Sequence, residues 1–191
     1  MNIARQVGVL SPRDLDEYGL PRAYLHRLAR QGRLIRIGRG LYMAPDAEIT
    51  EHHSLVEANK RVPNGVICLL TALRFHDLTT QAPFEIWMAL EHSAWQPRQN
   101  DLPLRFVRFS GVAFTAGRET YTLEGVTVNV YSAAKTIADC FKYRHKIGID
   151  IAIEALRDGL HQRKCTVDEL WGYAEICRVA KVMEPYLDAM L

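Results

Sequence analysis

Arginine recurs at close spacing in one short stretch of the chain, and this stretch carries the clearest chemical signal. Six arginines and no acidic residue lie between Arg22 and Arg39. A guanidinium group presents five N–H donors in a planar fork that matches the oxygens of a phosphate group. Because such side chains in series can neutralise successive phosphates, the stretch predicts contact with a polyanion.

Two short helices are predicted to begin the module that holds these arginines. Ser11 is a suitable N-cap, Pro12 suits the first helical position, and Gly19 ends the first helix. Pro21 opens the second helix. On a helical wheel of residues 22–31 the apolar side chains fall within one arc of about 100°. They are Leu25, Leu28 and Ala29.

The other side of the second helix carries long hydrogen-bond donors. Arg22, His26 and Arg30 form a row there, with Arg27 beside it, and the small Ala23 lies among them. Long donors around a small residue near the helix start are what a recognition helix needs when it enters a DNA groove. We therefore expect Arg22, Ala23, His26 and Arg27 to face the major groove.

A glycine-tipped hairpin is predicted to follow. Residues 33–37 read as a strand, Gly38-Arg39-Gly40 as a turn, and residues 41–43 as the returning strand, which Pro45 ends. A helix followed by such a ribbon is the layout of a winged helix-turn-helix. Arg30, Arg33 and Arg36 are expected to neutralise phosphates. Arg39 at the tip is expected to probe the adjacent backbone or minor groove.

Charge is distributed unevenly along the chain. The net charge is only +2, yet residues 1–42 carry eight arginines against three acidic residues, which leaves −3 for the remainder. This asymmetry indicates a basic module joined to a nearly neutral one. Ile3, Val7 and Leu10 have helical spacing, but only ten residues precede Ser11. Either the first helix is short, or another part of the chain or a second subunit completes the core.

The longer second module is predicted to be α+β. Helices are expected from Thr50 to about Arg61 and over 66–76, strands over 84–90 and 104–109, and a hairpin of 121–123 with 126–131 across Glu124-Gly125. Helices follow from Ser132 to the end. The predicted fold class is α+β: a winged helix-turn-helix (1–47), then an α+β domain (50–191) with a small, mainly antiparallel sheet and a helical C-terminal region.

Signals for catalysis are weak, and we expect a binding protein with no cofactor and no metal. Phosphate-loop, nucleophile-elbow and zinc-protease motifs are absent from the sequence. Glu85 or Glu91 with Lys135 only faintly resembles a nuclease site. A metal site from His52 or His53 with His76 and Asp77 is weaker than the alternative of exposed helix histidines. Four cysteines without zinc-finger spacing indicate buried free thiols in a reducing compartment.

Two further features complete the sequence-based expectations. Lys142, Arg144 and Lys146, with His145 between them, form a basic cluster at the end of a predicted helix. Cations favour that position because of the helix dipole, and the alternative is a second phosphate-contacting patch. No apolar run reaches the ~18 residues of a membrane span and no signal peptide begins the chain, so we expect a soluble cytoplasmic protein.

The N-terminal run SPRDLDEYGLPRAYLHRLARQGRLIRIGRGLYMAP resembles the winged helix of the abortive-infection E antitoxin family (AbiEi), the antitoxin half of type IV toxin–antitoxin systems. The resemblance is carried by Leu25–Gly32 and by the turn Ile37–Tyr42. The length and layout of residues 51–191 also resemble the family's C-terminal domain. The resemblance implies binding to inverted repeats upstream of the protein's own operon, repression, and counteraction of a nucleotidyltransferase toxin that the antitoxin need not touch.

The sequence therefore predicts a DNA-binding transcriptional regulator, an autorepressor and antitoxin acting on double-stranded operator DNA. An alternative is an interaction protein that holds a toxin or another partner through residues 50–191. A nuclease guided by the winged helix is a third and weaker hypothesis. The oligomeric state stays open at this point.

Overall fold

A computed structural model of the chain describes residues 8–16, 18–47, 49–96 and 102–190. The described part contains ten helices and eight strands, so the predicted α+β class is confirmed. It groups into two compact units. The first holds the described residues of 1–63 together with Leu102 and 120–128, and the second holds those of 64–98, 103–119 and 129–191.

The first unit is a small helical layer with a three-stranded sheet. Its elements in chain order are β1 (Val9–Leu10), α1 (Pro12–Asp16), α2 (Ala23–Arg30), β2 (Ile35–Gly38), β3 (Leu41–Met43) and α3 (His53–Arg61). The strand order is β1-β3-β2, and both pairs are antiparallel. The buried core side chains are Leu10, Leu15, Leu25, Leu34, Tyr42 and Ala44.

The start of this unit differs from the helical spacing seen in the sequence. Val9 and Leu10 form strand β1, in which Val9 pairs with Met43 and Leu10 with Tyr42. Leu10 therefore reaches the core from a strand, because the backbone of β3 offers it ladder hydrogen bonds. The expectation for Ile3 and Val7 lies outside the described residues.

Local hydrogen bonds set the bounds of α1 as the sequence predicts. Helix α1 begins at Pro12, and Asp14 Oδ2 accepts hydrogen bonds from the Ser11 amide at 2.6 Å and the Ser11 hydroxyl at 2.9 Å. Gly19 has a φ of +64°, a conformation in which a side chain is strained. It turns the chain so that the Leu20 amide donates to the Leu15 carbonyl and leads toward α2.

The second unit contains the longer helices and most of a five-stranded sheet. The strands are β4 (Val66–Ile67), β5 (Ile86–Glu91), β6 (Leu104–Phe109), β7 (Arg118–Leu123) and β8 (Val126–Tyr131). The helices are α4 (Leu69–Phe75), α5 (Val112–Thr115), α6 (Ala133–Lys142), α7 (Arg144–Ile147), α8 (Ile149–His161), α9 (Val167–Cys177) and α10 (Ala180–Asp188). The strand order is β6-β5-β4-β8-β7, and residues 120–128 at the β7–β8 tip group with the first unit.

The sheet is mixed, which corrects the prediction of a mainly antiparallel one. Strands β5 and β6 run parallel over six residue pairs, from Ile86 with Leu104 to Glu91 with Phe109. Strand β4 is antiparallel to β5 and parallel to β8. Two parallel strands must be joined by a crossover connection. The sequence between β5 and β6 does not indicate whether the two strands run parallel or antiparallel, so the parallel pair was not predicted.

Several other elements also differ from the sequence-based prediction. Val66 and Ile67 form a central strand, whereas a helix was predicted over 66–76, and helix α4 begins only at Leu69. Helix α3 begins at His53, after a turn at Thr50. Strand β7 already begins at Arg118. The short helix α5 was not predicted.

Candidate nucleic-acid interface

Helix α2 presents a polar face that its core contacts fix in place. Leu25 is 1% exposed, and Leu28 and Ala29 are half-buried against the core of the first unit, as the helical wheel predicts. The side chains expected to face a groove are all exposed. They are Arg22, Ala23, His26 and Arg27, and Arg30, expected to contact a phosphate, is exposed as well. The burial of two leucines and an alanine thus decides which residues this helix offers to a partner.

A glycine at the end of α2 turns the chain toward the hairpin. Gly32 has a φ of +67°; its amide donates to the Ala29 carbonyl at 3.0 Å, and the Arg33 amide donates to the Leu28 carbonyl at 3.0 Å. This pair of bonds is a Schellman ending, which satisfies carbonyl groups of the last helical turn. Arg33 therefore leaves the helix as an exposed residue just before β2.

The β2–β3 hairpin carries Arg39 at its tip. Gly38 belongs to β2 and pairs with Leu41, so the turn is narrower than the predicted Gly38-Arg39-Gly40, and the strand starts at Ile35 instead of Arg33. Gly40 has a φ of +72°, which requires glycine in practice. Arg39 and Arg36 are both exposed. The register shifts between Arg36 and Gly38, as in a β-bulge, which bends the strand locally.

Three of the arginines have partners that hold their side chains. Arg22 forms two hydrogen bonds with Asp16, Nε to Oδ1 at 3.1 Å and Nη2 to Oδ2 at 2.6 Å. The hydrogen bonds from Arg22 lower the pKa of the Asp16 carboxyl, and the same bonds raise the pKa of Arg22. The Arg27 guanidinium lies 4.4 Å from the centre of the Tyr24 ring. Arg36 Nε donates to the Gly38 carbonyl at 3.1 Å.

The other basic side chains of this surface carry uncompensated charge. Within the described residues, no salt bridge joins Arg30, Arg33 or Arg39 to an acidic group. His26 is likewise exposed. Helix α2 and the β2–β3 hairpin thus both expose arginines within a single compact unit, with Asp16 as an acidic neighbour of Arg22.

Helix α3 braces this unit through ion pairs that the sequence did not predict. Lys60 Nζ lies 2.8 Å from Asp14 Oδ1, and the two side chains are 12% and 22% exposed. Burial alone would raise the pKa of the Asp14 carboxyl, but the bonds from Lys60 and Ser11 outweigh it, so this pKa lies below its ordinary value. The pair ties α3 to the start of α1.

The tip of the β7–β8 hairpin is also anchored within the first unit. Glu124 Oε1 accepts hydrogen bonds from the Thr50 amide and hydroxyl, both at 2.8 Å, and Glu124 Oε2 lies 2.7 Å from His53 Nδ1. Asn59 Nδ2 donates to the Thr127 carbonyl at 2.6 Å. Burial opposes ionisation of Glu124, but the bonds from His53 and Thr50 outweigh it and lower its pKa. The Glu124-Gly125 turn was predicted, but its carboxylate contacts were not.

The second basic cluster lies at the end of α6 and on α7. Lys142 and Lys146 are exposed, and Arg144 is half-buried with Nη1 donating to the Phe141 carbonyl at 3.0 Å. Lys142 Nζ lies 5.9 Å from the centre of the Phe109 ring, and Lys146 Nζ lies 5.4 Å from that of Tyr143. Arg144 thus serves the helix end, while the two lysines remain open to solvent.

The residues considered for a nuclease or a metal site have other partners. Lys135 is fully buried and pairs with Asp139, and Glu85 pairs with Arg105. His53 lies against Glu124, and His76 Nε2 lies 2.7 Å from the Tyr131 carbonyl. Among the described residues, no group of three or more His, Cys, Asp or Glu side chains is placed to hold a metal ion.

Comparison with known proteins supports the resemblance inferred from the sequence. Residues 1–45 match the model of the family described as "Transcriptional regulator, AbiEi antitoxin", which confirms the resemblance for this part of the chain. No curated protein matches the chain in a sequence comparison.

Among solved structures, the crystal structure of the RV2827C protein from Mycobacterium tuberculosis is similar to the whole chain. The TM-score is 0.61, and the match covers 100% of this chain and 78% of that one. At 16% identity the likeness concerns the fold alone. In the part of the chain that the structure describes, no helix is long and apolar enough to cross a membrane.

Proposed function

We propose that the protein is a sequence-specific DNA-binding transcriptional regulator, the autorepressor and antitoxin of a type IV toxin–antitoxin system. In this proposal residues 1–47 are a winged helix-turn-helix domain and residues 50–191 an antitoxin-type C-terminal domain. The observation that carries it is the set of exposed arginines that α2 and the β2–β3 hairpin present on one compact unit. The family match of residues 1–45 supports the same conclusion.

The order of the helices and strands in the first unit supports this proposal. A helix–turn–helix pair followed by a hairpin on a β1-β3-β2 sheet gives the second helix an outward polar face and a neighbouring wing. In such a domain the second helix enters the major groove and the wing reaches the flanking backbone. Helix α2 is therefore the recognition helix of the proposal, and the β2–β3 hairpin is its wing.

Individual residues take different roles in this interface. We assign Arg22, Ala23, His26 and Arg27 to the major groove, with arginine forks reading guanine edges. Phosphate contacts from Arg30, Arg33 and Arg36 would each steepen the log–log salt dependence of binding by ~0.9. Arg39 at the tip of the wing contacts the adjacent backbone or minor groove.

Asp16 gives the proposed interface an internal competitor. Its carboxylate holds the Arg22 guanidinium by two hydrogen bonds in the free protein. A guanine edge must therefore displace Asp16 before Arg22 reads it, and a phosphate close to Asp16 is repelled. This competition disfavours DNA sites that offer Arg22 no bidentate partner, which adds to sequence discrimination.

Lys142 and Lys146 form a second phosphate-contacting patch in this proposal, with Arg144 at its base. Their open ammonium groups lie within cation–π distance of Phe109 and Tyr143. The proposed DNA partner places the protein in the cytoplasm, and a nucleotidyltransferase toxin is its functional counterpart.

A second candidate function is a protein-interaction module formed by residues 50–191. The observation that favours it is the exposure of two large aromatic side chains in the second unit, Phe84 at 87% and Trp95 at 78%. Aromatic residues are enriched in protein interfaces, and a toxin or another protein would be the partner. A complex that stays intact at high salt would favour this candidate, because electrostatic DNA binding is lost there.

Footprinting on the DNA upstream of the protein's own gene tests the main proposal. We expect protection of inverted-repeat half-sites by the wild-type protein and no protection by an Arg22→Ala/Arg27→Ala variant with an unchanged circular dichroism spectrum. Uniform weak protection of all sequences by both proteins would reject sequence-specific recognition by α2.

A further inference from the structure

The end of strand β2 next to the turn, at Gly38, lies against helix α3. A Cβ atom added at Gly38 would come within 2.6 Å of Arg61 Nη2 and 3.0 Å of Glu57 Oε1. Real Cβ atoms essentially never come as close as 2.6 Å to another atom, so a side chain at position 38 would require the guanidinium end of Arg61 to shift. The hairpin is thus packed through its backbone onto α3.

The need for glycine at position 38 comes from this contact and not from the backbone conformation. Gly38 is not among the glycines with positive φ, whereas its neighbour Gly40 has a φ of +72°. An alanine at position 38 would therefore fit the backbone but come closest to the ends of the Arg61 and Glu57 side chains. The two glycines flanking Arg39 have different purposes: Gly40 makes the turn, and Gly38 admits the α3 side chains.

Arg61 and Glu57 form a well-held pair at this contact. Arg61 Nη2 lies 2.5 Å from Glu57 Oε1, and the side chains are only 16% and 14% exposed. The residues are one helical turn apart with the acid first, which is the favourable order for such a pair. Partial burial reduces the freedom of both side chains, so the guanidinium is a defined surface for the hairpin to rest on.

Gly38 is also held by a residue of its own strand. Arg36 Nε donates to the Gly38 carbonyl at 3.1 Å, and the strand register shifts between these two residues. Gly38 thus accepts a hydrogen bond from Arg36 on its own strand and lies against the Arg61 and Glu57 side chains of α3. Arg39 follows immediately, so the position of its Cα depends on both contacts.

We propose that Arg61 and Glu57 are positioning residues for DNA binding, which hold the hairpin so that Arg39 reaches the DNA backbone. The inference rests on the proposed function and extends the DNA-binding module beyond residue 47 to helix α3. Neither residue touches DNA; they act through Gly38.

The test uses three variants of the full chain and the salt dependence of binding. Arg61→Met keeps a long side chain and removes the guanidinium, and Gly38→Ala disturbs the same contact from the hairpin side. Lys60→Met is the matched control, because it breaks the neighbouring Lys60–Asp14 pair on α3 without facing Gly38. Each is combined with Arg39→Ala, and affinity for the upstream DNA is measured by fluorescence anisotropy between about 50 and 200 mM salt, the range over which phosphate contacts are resolved.

Arg61→Met and Gly38→Ala are expected to lower the log–log salt slope by about 0.9, the loss of one phosphate contact, as Arg39→Ala does. In the Arg39→Ala background neither is expected to change the slope further. A purely structural effect would weaken binding without this coupling to Arg39, and Lys60→Met is expected to show that behaviour. Should Arg61→Met fail to fold, Gly38→Ala and Glu57→Gln provide the same test.

Two results separate failure of this inference from failure of the proposed function. If Arg39→Ala lowers the salt slope but Arg61→Met and Gly38→Ala keep the wild-type slope, the positioning role is wrong and the proposed function stands. Coupling of equal size for Lys60→Met also overturns it. An unaltered slope for Arg39→Ala itself removes the wing contact from the proposed function.

Discussion

Replacing Lys135 by methionine is predicted to destabilise the second unit strongly. The Lys135 and Asp139 side chains are both 0% exposed, and Lys135 Nζ lies 2.5 Å from Asp139 Oδ2. The ammonium also lies 4.3 Å from the Tyr131 ring centre and 4.7 Å from that of Phe109. Methionine retains the length of the side chain but lacks the ammonium group, and within the described residues the hydrogen bond that remains to the Asp139 carboxylate comes from the Cys177 thiol at 3.2 Å.

The size of the effect follows from the burial of the pair. Removing one partner of a buried ion pair costs about 3–5 kcal/mol, because the other charge stays uncompensated. A domain of this length loses about 2–4 °C of Tm per kcal/mol. The expected fall in Tm is therefore about 6–20 °C. A double variant, Lys135→Met/Asp139→Leu, is expected to recover most of this loss because no charge remains buried.

The stability of the Lys135→Met variant should also depend on pH, and it should fall as the pH rises. Burial raises the pKa of Asp139 above its ordinary value, and the nearby Lys135 opposes that shift. Without Lys135 the buried carboxylate loses this compensation, so protonation of Asp139 relieves the cost in the folded state. The folded state of Lys135→Met is therefore favoured below the ordinary pKa of about 3.8 and loses stability as the pH rises through the raised pKa.

Thermal unfolding followed by circular dichroism measures both effects. The matched control is Lys142→Met, which removes an exposed lysine from the same helix and should shift Tm by no more than about 2 °C, since exposed charges contribute little. A Lys135→Met protein that melts within about 2 °C of the wild type at neutral pH would show that the unpaired Asp139 carboxylate does not destabilise the folded state, contrary to this prediction.

Four further predictions concern the first unit. Arg39→Ala should reduce the log–log salt slope of binding by ~0.9 with an unchanged circular dichroism spectrum; unchanged affinity would remove the wing from the interface. Arg22→Ala should lose about 1–3 kcal/mol more on the operator than on scrambled DNA, and an equal loss on both would make Arg22 a phosphate contact. Asp16→Asn should strengthen binding to both duplexes by removing a competing carboxylate, with Asp46→Asn, a change outside α1 and α2, as the control. Glu124→Gln should lower thermal stability above pH ~4.5 and converge with the wild type below it, because the pKa of Glu124 is lowered in the folded state; a constant difference down to pH ~3 would contradict that assignment.

The elements of the proposed interface were predictable because their signals are local. Leu25 and Leu28 set the buried side of α2 by their spacing, and Gly32 and Gly40 have the positive φ that marks a helix end and a turn. These features need only neighbouring residues, so the sequence indicates both the elements and the exposure of their arginines. The hydrogen-bond partners of those arginines were harder to predict from the sequence, and the Asp16–Arg22 pair was not predicted.

Contacts between distant residues account for most of what the sequence did not reveal. Val66 and Ile67 read as part of a helix because a short apolar run does not distinguish a buried helix from a central strand. Their strand partners lie more than 20 residues away, with Ile67 opposite Met88 and Val130. The bonds of Glu124 to Thr50 similarly join residues 74 positions apart. No periodicity in a single sequence encodes such pairings.

Fluorescence anisotropy of the full chain on its own upstream DNA and on a scrambled duplex, at two salt concentrations, distinguishes sequence-specific from non-specific DNA binding. A specific regulator is expected to prefer the native sequence by ~10³ or more, with weaker binding to both duplexes at the higher salt. Equal, salt-sensitive binding to the two duplexes would contradict sequence-specific recognition and leave a basic module whose specific partner binds elsewhere on the chain.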